Sequence, residues 1–332
     1  MSTVSPSGPP LTASIVVPVW NGAETLDACL AALAAQDLQD GHEVIVVDDG
    51  STDGSADVAA RHHVTLIRQA HAGAASARNR GARRARGLVL LFTDADCEPS
   101  PGWAGQMLAP FADPGVVGVR GFYRTRQRSV VARFAQAEYE EKYDRLRRAD
   151  RIDFVDTYAA AYRRDLFLSS GGFDPAFLLD EDQELSYRLA GTGHRLVSAP
   201  AAVVYHRHPA RIWAYAQRKL QLARWKVKVH FRHPSRALHD SYTPWTQKAQ
   251  IILLPLAGGA LVAALLGRGS RTVALILAAA GLLSGLPLTL KAAHQGGQVA
   301  LAAPFLMLVR ALALAMGIAW GLASQLKAAR RR

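Results

Sequence analysis

The stretch LLFTDADCEP, Leu90 to Pro99, runs from apolar residues into two aspartates that are separated by one alanine. Together with the two residues before it, its apolar part predicts a β-strand at Leu88–Thr93, and Asp94 and Asp96 follow at the carboxyl end. On an extended segment the two side chains would point the same way and repel, which costs free energy unless a positive group lies between them. A divalent cation such as Mg²⁺ or Mn²⁺, which binds carboxylate oxygens, is one explanation, and an Asp-rich turn is the other.

Strands and helices alternate before this stretch. The predicted strands are Ser14–Val19, Glu43–Val47 and Val64–Arg68, and the predicted helices are Glu24–Ala35, Ser55–His62 and Ala74–Arg86. This alternation predicts an α/β domain with a parallel sheet and helices on both faces. Because ligands bind at the carboxyl ends of such strands, we expect acidic groups from two strands to converge on one crevice. These groups are Asp48, Asp49, Asp94 and Asp96.

The middle of the chain is less regular. We predict a charged helix at Val130–Arg148, strands at Phe154–Tyr162 and Leu196–Tyr205, a turn at Gly171–Pro175 and a helix at Leu185–Ala190. Neither a GxxxxGK[ST] loop nor a GxGxxG motif after the first strand occurs, which argues against a P-loop NTPase or an ordinary dinucleotide enzyme.

Charge is distributed unevenly along the 332 residues. From Ala249 onward there is no acidic residue, whereas eight Lys and Arg occur there among long apolar runs. This combination favours an anionic membrane surface over nucleic acid as a partner. Two cysteines do not suggest a disulfide framework, and the first 13 residues lack the pattern of a secretory signal. We therefore expect the folded part to begin in the cytosol.

Three apolar runs, Ile251–Leu266, Thr272–Leu290 and Val299–Ala323, predict membrane helices. Three crossings would place the basic tail KAARRR outside, against the positive-inside tendency, and would place Arg310 within the bilayer. A two-span hairpin followed by an interfacial helix would keep the tail cytoplasmic. The sequence leaves both topologies open.

The chain thus divides into five predicted parts. These are a disordered N-terminus at 1–13, an α/β domain at 14–210, a basic amphipathic interfacial helix and linker at 211–248, membrane helices at 249–326 and a basic tail at 327–332. The helix Arg211–Phe231 mixes aromatic with basic residues, which suits a membrane surface, although a solvated helix packed on its own domain fits equally well.

Six motifs occur in a characteristic order: SIVVPVWNG, VIVVDDGSTDGS, ASARNRG, LLFTDADCEP, GGFDPAFLLDEDQELSYRL and VVYHRHP. Together they resemble the family 2 glycosyltransferases, which are inverting enzymes of the GT-A fold, a Rossmann-like nucleotide-diphospho-sugar transferase domain. The resemblance covers roughly Ser14 to His208. It implies a nucleotide-diphosphate sugar donor and a divalent cation (Mg²⁺ or Mn²⁺).

The resemblance also implies roles for individual residues in donor binding. Pro18, Trp20 and Asn21 match the loop that lines the nucleotide base, and Asp48 and Asp49 match the aspartates that read base and ribose. In a second group, Arg78 matches a residue near the diphosphate, where a guanidinium can bind phosphate oxygens, and Asp94 belongs to the D-x-D motif.

The metal ligands implied by the resemblance are Asp94 and Asp96, with His206 as a third candidate; His208 could instead be structural. Asp182 matches the catalytic base, which takes a proton from the acceptor hydroxyl. Glu181 beside Asp182 would assist it or bind the acceptor.

One motif complicates the assignment. Gln221, Arg224 and Trp225 fit Q-x-x-R-W, which resembles the acceptor-binding motif of processive synthases. We expect a single-sugar transferase instead, at the cytoplasmic face of a multi-pass membrane protein. Its partners would be the nucleotide-sugar donor, a lipid-linked or cell-envelope glycan acceptor and membrane lipids, with no nucleic acid. A non-catalytic membrane protein that binds nucleotide or a partner is the third alternative.

Overall fold

The computed structural model describes residues 12–38, 41–237 and 240–329, with backbone alone at 328 and 329. Most of the predicted disordered segment and the last three arginines of the predicted basic tail lie outside these residues. The chain forms two compact units. The first comprises Met1–Arg124 with Ala149–His206, and the second comprises Thr125–Arg148 with Arg207–Arg332.

The first unit contains one mixed eight-stranded sheet. Its strands are β1 (Ala13–Val19), β2 (His42–Asp48), β3 (Thr65–Arg68), β4 (Val89–Phe92), β5 (Cys97–Pro99), β6 (Val116–Arg124), β7 (Ala160–Arg163) and β8 (Arg195–His206). They lie side by side in the order β3-β2-β1-β4-β7-β6-β8-β5. The first four strands are parallel, as predicted, and their ends lie within one residue of the predicted ones.

The helices of the first unit connect these strands. They are α1 (Ala23–Ala34), α2 (Ser55–Ala60), α3 (Ala74–Arg84), α4 (Trp103–Leu108), α6 (Arg164–Ser169) and α7 (Glu181–Gly191), and α5 (Val130–Arg147) belongs to the second unit. The predicted helices α1, α2 and α3 are therefore confirmed. The short elements α4, α6 and β5 have no hydrophobic period long enough to reveal them in the sequence.

Beyond β4 the sheet departs from the parallel arrangement that the sequence predicts. β7 runs antiparallel to both β4 and β6, and β5 runs antiparallel to β8. The predicted strand at Phe154–Tyr162 also begins late, because residues 157–159 form a short 3₁₀ turn and β7 starts at Ala160. The amide of Thr157 donates to the Asp182 carboxylate at 3.2 Å, so this segment bonds to a side chain instead of to a neighbouring strand.

The second unit is helical. Besides α5 it contains α8 (Ile212–Arg232), α9 (Trp245–Leu265), α10 (Arg271–Leu283), α11 (Leu286–Gln295) and α12 (Gly297–Ala329). The α5 helix, which the sequence reading placed inside the α/β domain, packs through Val131 and Phe134 against Leu288 of α11 and Val299 of α12. Its apolar face is therefore buried among the C-terminal helices, although its charged pattern looks like that of a surface helix.

Within the part of the chain that the structure describes, two helices, α9 and α12, are long and apolar enough to cross a membrane, and α10 with α11, bent by 48°, would make a third candidate. Arg310 in α12 is fully buried and donates to Glu138 of α5 at 2.7 Å. Lys219 of α8 lies 2.8 Å from the same carboxylate. Burial opposes the charged form of Glu138, but Lys219 and Arg310 outweigh it and lower the pKa of Glu138 to about 2. The charge that the sequence places in an apolar run is thus neutralised within the protein.

Asn79 fixes the turn that leads toward α7. Its Nδ2 donates to the Phe173 carbonyl at 2.7 Å, and its Oδ1 accepts from the Phe173 amide at 2.9 Å. Gly172 has φ +66° and approaches Asn79 so closely that a Cβ would lie 2.5 Å from Oδ1. Asn79 itself is buried, so these two hydrogen bonds have little access to water.

We predict that Asn79→Ala lowers the free energy of unfolding by about 2–4 kcal/mol, because it leaves two buried backbone groups of Phe173 unsatisfied. Arg80→Ala, at the exposed neighbouring position, is the matched control and should change stability by less than about 0.5 kcal/mol. Thermal unfolding followed by circular dichroism measures both. Equal midpoints for the two variants would contradict the anchoring role.

Candidate active site

A cavity of about 480 Å³ lies at the carboxyl ends of β1, β2 and β4. The residues that line it are Pro18, Val19, Trp20, Asn21, Gly22, Thr25, Asp49, His71, Ala74, Ala77, Arg78, Asp94, Ala95 and Asp96. The predicted crevice thus exists where the strand pattern placed it, and residues following two strands meet there. Of the four predicted acidic groups, Asp48 does not line this cavity.

The Asp94-Ala95-Asp96 segment is a turn and not an extended strand, since the Cys97 amide donates to the Asp94 carbonyl at 3.0 Å. The expectation that the two side chains continue the alternation of a strand is therefore wrong. A positive group beside the pair is Arg78 of α3, whose Nη2 donates to Asp94 Oδ1 at 2.6 Å.

Arg78 joins the cavity to a second carboxylate. Its Nη1 donates to Glu181 Oε1 at 2.5 Å, and its side chain is almost fully buried. Burial alone would lower the pKa of Arg78, but the charges of Asp94 and Glu181 outweigh it and raise that pKa above its usual range. The guanidinium is therefore a permanent cation that holds the D-x-D turn and the start of α7 together.

Asp182 is half-buried on the first turn of α7, next to Glu181. It accepts hydrogen bonds from the amides of Gln183 at 2.8 Å and Thr157 at 3.2 Å. Burial, together with the charges of Glu181 and Asp156, raises the pKa of Asp182 well above that of an ordinary aspartate. A carboxylate with a raised pKa binds a proton more strongly, which suits a general base.

The Asp182 side chain does not line the cavity that Asp94 and Asp96 line. It is linked to that cavity through its neighbour Glu181 and through Arg78, whose pKa responds to the charge of Asp182. Burial raises the pKa of Glu181, and the charge of Arg78 opposes that rise.

Asp49 is buried and its carboxylate accepts many hydrogen bonds. Oδ1 accepts from Gln69 Nε2 at 2.6 Å and from the Ala72 amide at 2.9 Å. Oδ2 accepts from the Gly73 amide at 2.8 Å and lies 2.9 Å from His71 Nδ1. Because a carboxylate offers about four lone-pair sites, these contacts leave Asp49 little capacity for a nucleobase. Its position suits a residue that shapes the loop after β3.

Asp48 is fully buried, and its side chain organises the backbone that follows β2. Oδ1 accepts from the Ser51 amide at 2.9 Å, and Oδ2 lies 3.3 Å from Arg68 Nε. These contacts hold the DGSTDGS loop, which in turn meets Asn21: the Asn21 side chain accepts from the Thr52 amide at 2.8 Å.

Trp20 and His71 form the open wall of the cavity. Their ring centroids lie 4.5 Å apart, and Trp20 is 55% exposed. Sequence reasoning named Trp20 and missed His71. The signal was available, because His71 follows the third predicted strand, whose carboxyl end lies at the same edge of the sheet.

His206 lies close to Asp96. Cys97 of β5 pairs with His206 of β8 in an antiparallel register, which places His206 Nε2 3.4 Å from Asp96 Oδ2. Donor atoms of Asp96, Cys97 and His206 lie within 4.8 Å of one another. Burial raises the pKa of the Cys97 thiol well above its usual range, so Cys97 favours the neutral thiol, which is a poor ligand.

Asp156 is a second residue that sequence reasoning missed. It accepts from Tyr158 Oη at 2.5 Å and pairs with the fully buried Arg120. This arrangement fixes a negative charge near Asp182 and thereby contributes to its raised pKa. The pairing joins residues of separate segments and leaves no periodic trace in the sequence.

The candidate acceptor residues lie in the second unit, on α8. The Arg224 guanidinium lies 4.0 Å above the Trp320 ring of α12, and Lys228 Nζ lies 5.3 Å from the Trp225 ring. Gln221 is half-buried on the same helix. His208 also belongs to this unit, where its Nε2 lies 3.1 Å from Gln136 Oε1 and its ring stacks on Tyr139.

Residues 14–169 match the family model for glycosyl transferase family 2. The chain is 30% identical over 274 residues to the pre-mycofactocin glycosyltransferase of Mycobacterium tuberculosis, an alignment that covers 78% of this chain and 53% of that protein. It is 34% identical over 115 residues to glycosyltransferase AglE of Haloferax volcanii, covering 32% of this chain and 38% of AglE. The chain thus spans about half or less of the length of these curated relatives.

Among solved structures, the mannosyltransferase PcManGT of Pyrobaculum calidifontis, in complex with GDP-Man and Mn²⁺, superposes with a TM-score of 0.68 at 24% identity. The match covers 93% of this chain and 87% of that one. The likeness establishes the fold: a GT-A domain with C-terminal helices, as the sequence predicted.

We predict that Arg78→Met lowers the free energy of unfolding by about 3–5 kcal/mol at pH 8, because it leaves the buried carboxylate of Glu181 and the half-buried carboxylate of Asp94 without their cation. The loss should be smaller at pH 5. Burial already raises the pKa of Glu181 and losing the cation raises it further, so protonation at low pH relieves the uncompensated charge.

Thermal unfolding of Arg78→Met at both pH values measures this difference. The matched control is Arg80→Met on the exposed face of the same helix. An equal loss at pH 5 and pH 8 would contradict the bridging role.

Proposed function

Since the chain belongs to glycosyl transferase family 2, we propose that it transfers one sugar, with inversion, from a nucleotide-diphosphate sugar to a hydroxyl of a lipid-linked or envelope glycan. The observation that carries the proposal is the Arg78 bridge between Asp94 in the cavity and Glu181 beside Asp182. It couples a site for an anionic donor to a carboxylate with a raised pKa, and an inverting transfer needs both.

The donor would bind in the cavity under Trp20 and His71. The exposed Trp20 ring offers a surface on which a nucleobase can stack, and Asp49 would hold His71 in place through its 2.9 Å contact with Nδ1. The guanidinium of Arg78 also lines the cavity, where it can meet phosphate oxygens.

A divalent cation would be held by Asp94 and Asp96, with His206 as a third ligand. Carboxylate oxygens with one imidazole form a donor set that suits Mn²⁺ or Mg²⁺, and the 3.4 Å contact between His206 and Asp96 supports this grouping. When bound, the cation supplies charge stabilisation for the departing diphosphate.

Asp182 would act as the general base. It takes the proton of the acceptor hydroxyl as that oxygen attacks the anomeric carbon, and the amides of Gln183 and Thr157 hold the carboxylate in orientation. Glu181, which forms an ion pair with Arg78, would position the acceptor and would take no part in the proton transfer.

The processive alternative rests on the Q-x-x-R-W residues. The Arg224 guanidinium is occupied by the Trp320 ring at 4.0 Å, which supports a packing role for this residue and hence a single transfer. A product-length assay separates the two: a polymer whose length depends on Trp225 would favour the synthase.

We place the protein at the cytoplasmic membrane, as a multi-pass protein whose catalytic unit faces the cytosol. The support is the pair of helices long and apolar enough to cross a membrane, together with the absence of acidic residues after Lys248.

We predict that Asp182→Asn and Asp96→Ala each lower kcat by about 10²–10⁴-fold, because one removes the base and the other a ligand of the cation. Asp57→Asn, an exposed carboxylate on α2, is the control and should retain activity. The measurement is sugar transfer or hydrolysis from a panel of nucleotide sugars with Mn²⁺ or Mg²⁺.

Full activity of both variants would contradict the assigned roles. If the unaltered protein shows no activity and calorimetry finds no metal-dependent nucleotide binding, the non-catalytic alternative replaces the proposal.

A further inference from the structure

The long helix α12 has one face that is open and apolar along most of its length. Its exposed residues recur at helical spacing: Leu301, Phe305, Leu308, Leu312, Met316, Ala319, Ala323 and Leu326. These positions fall on a single stripe, because successive members are three or four residues apart. At 1.5 Å per residue the stripe is about 38 Å long, and no charged residue interrupts it.

The opposite face of α12 is packed against two charged helices. Near its start, Val299 and Ala303 lie in the buried cluster that contains Val131 and Phe134 of α5. In the middle of α12, Arg310 donates a hydrogen bond to Glu138 of α5 at 2.7 Å. Thus α5 accompanies the first half of α12.

Helix α8 accompanies the second half. Two glycines allow its backbone to come very close: a Cβ at Gly317 would lie 2.3 Å from the Leu220 carbonyl oxygen, and one at Gly321 would lie 2.7 Å from the Arg224 carbonyl oxygen. From Val299 to Gly321 the packed face is therefore covered over about 33 Å of helix.

Both covering helices carry exposed charges. Arg145 and Arg147 are exposed on α5, and Arg218 and Arg232 are exposed on α8. If α12 crossed a hydrocarbon core about 30 Å thick, one of these helices would be immersed with it. Charged side chains in that region are costly, so crossing conflicts with the packing of α12.

Helix α9 differs from α12 in this respect. Lys248 and Arg268 flank a segment of uncharged residues, few of which are buried. Gly281 of α10 packs against Leu254 of this segment. A hairpin of α9 with α10 can therefore enter lipid without carrying charged helices along, whereas α11 stays with α5, against which Leu288 packs.

We propose that α12 lies in the plane of the membrane interface, with its open stripe in the lipid, and does not cross the bilayer. The occupant of the stripe is the lipid itself, because the exposed apolar side chains of α9 and α10 belong to the same helical unit. Lys327 then remains on the side of α5 and α8, where it can meet anionic headgroups. This inference rests on the proposed membrane association and is independent of the transfer reaction.

The test uses the full chain in phosphatidylcholine–phosphatidylglycerol vesicles. An environment-sensitive fluorophore is attached to single cysteines placed at Leu301, Leu308, Met316 and Leu326 of the stripe. Quenching is compared between lipids that carry a doxyl group near the headgroup and lipids that carry it near the chain end. Cys29 and Cys97 are fully buried, and the unaltered protein gives the background labelling.

The shallow quencher should act more strongly than the deep one at all four positions, with a similar ratio along the helix. Leu261→Cys in α9 should show the reverse preference, and Ala313→Cys on the packed face should show little quenching by either lipid. If quenching by the deep lipid is strongest near Leu308 and Met316 and weaker at Leu301 and Leu326, the proposal is overturned, because a helix that crosses the bilayer gives that pattern.

Sidedness gives a second readout. In sealed vesicles an impermeant maleimide should label Ser324→Cys to the same extent as Gln217→Cys of α8, because both lie on one side of the membrane. Ser270→Cys, between α9 and α10, lies on the other side and should show the opposite accessibility. If Ser324→Cys instead shows the same labelling as Ser270→Cys, α12 crosses the bilayer and the proposal is wrong.

Two other outcomes also overturn the proposal. In the first, neither lipid quenches the fluorophores on the stripe, and the stripe cysteines of two chains cross-link to each other. That result would assign the stripe to a second copy of the chain. Failure to bind vesicles, with sugar transfer retained, would remove the membrane association and leave the proposed reaction standing.

Discussion

The buried guanidinium of Arg78 determines how the candidate site is built. It bonds Asp94, in the turn after β4, and Glu181, at the start of α7, which lies 103 residues further along the chain than Arg78. Glu181 could not be buried at this position alone, because an unpaired buried charge is costly. The contact therefore brings the D-x-D turn and the α7 carboxylates together, and the proposed chemistry needs both.

Other groups of the site follow from this arrangement. Asp182, next to Glu181, has a raised pKa because partial burial and the nearby negative charges both oppose its charged form. Asp49 has a different role, since its hydrogen bonds hold the loop that presents His71 beside Trp20. Some acids of the site, such as Asp49, therefore have their hydrogen-bonding capacity filled by the protein. Others, such as Asp182, remain able to bind a ligand or a proton.

The sequence predicted much of the fold because β1 to β4 are apolar runs that alternate with helices, a pattern dictated by burial on both faces of a parallel sheet. It also singled out Arg78 among five arginines of ARNRGARRARG, through a motif and not through periodicity. What it could not provide were contacts between distant segments. The antiparallel β7, the three-residue β5 and the saturation of Asp49 all depend on partners that local pattern does not encode. The pairing of Arg310 with Glu138, 172 residues away, is the same kind of contact, and it changes how the apolar run around Arg310 is interpreted.

The most direct test of the central claim is a double-mutant cycle between Arg78→Met and Glu181→Gln, with the free energy of unfolding as the readout. If the guanidinium and the carboxylate stabilise one another, Glu181→Gln should cost less in the Arg78→Met background than in the unaltered protein, with a coupling of about 0.5–3 kcal/mol. Additive effects would show that the two groups are energetically independent, and the account of the site as one coupled unit would fail.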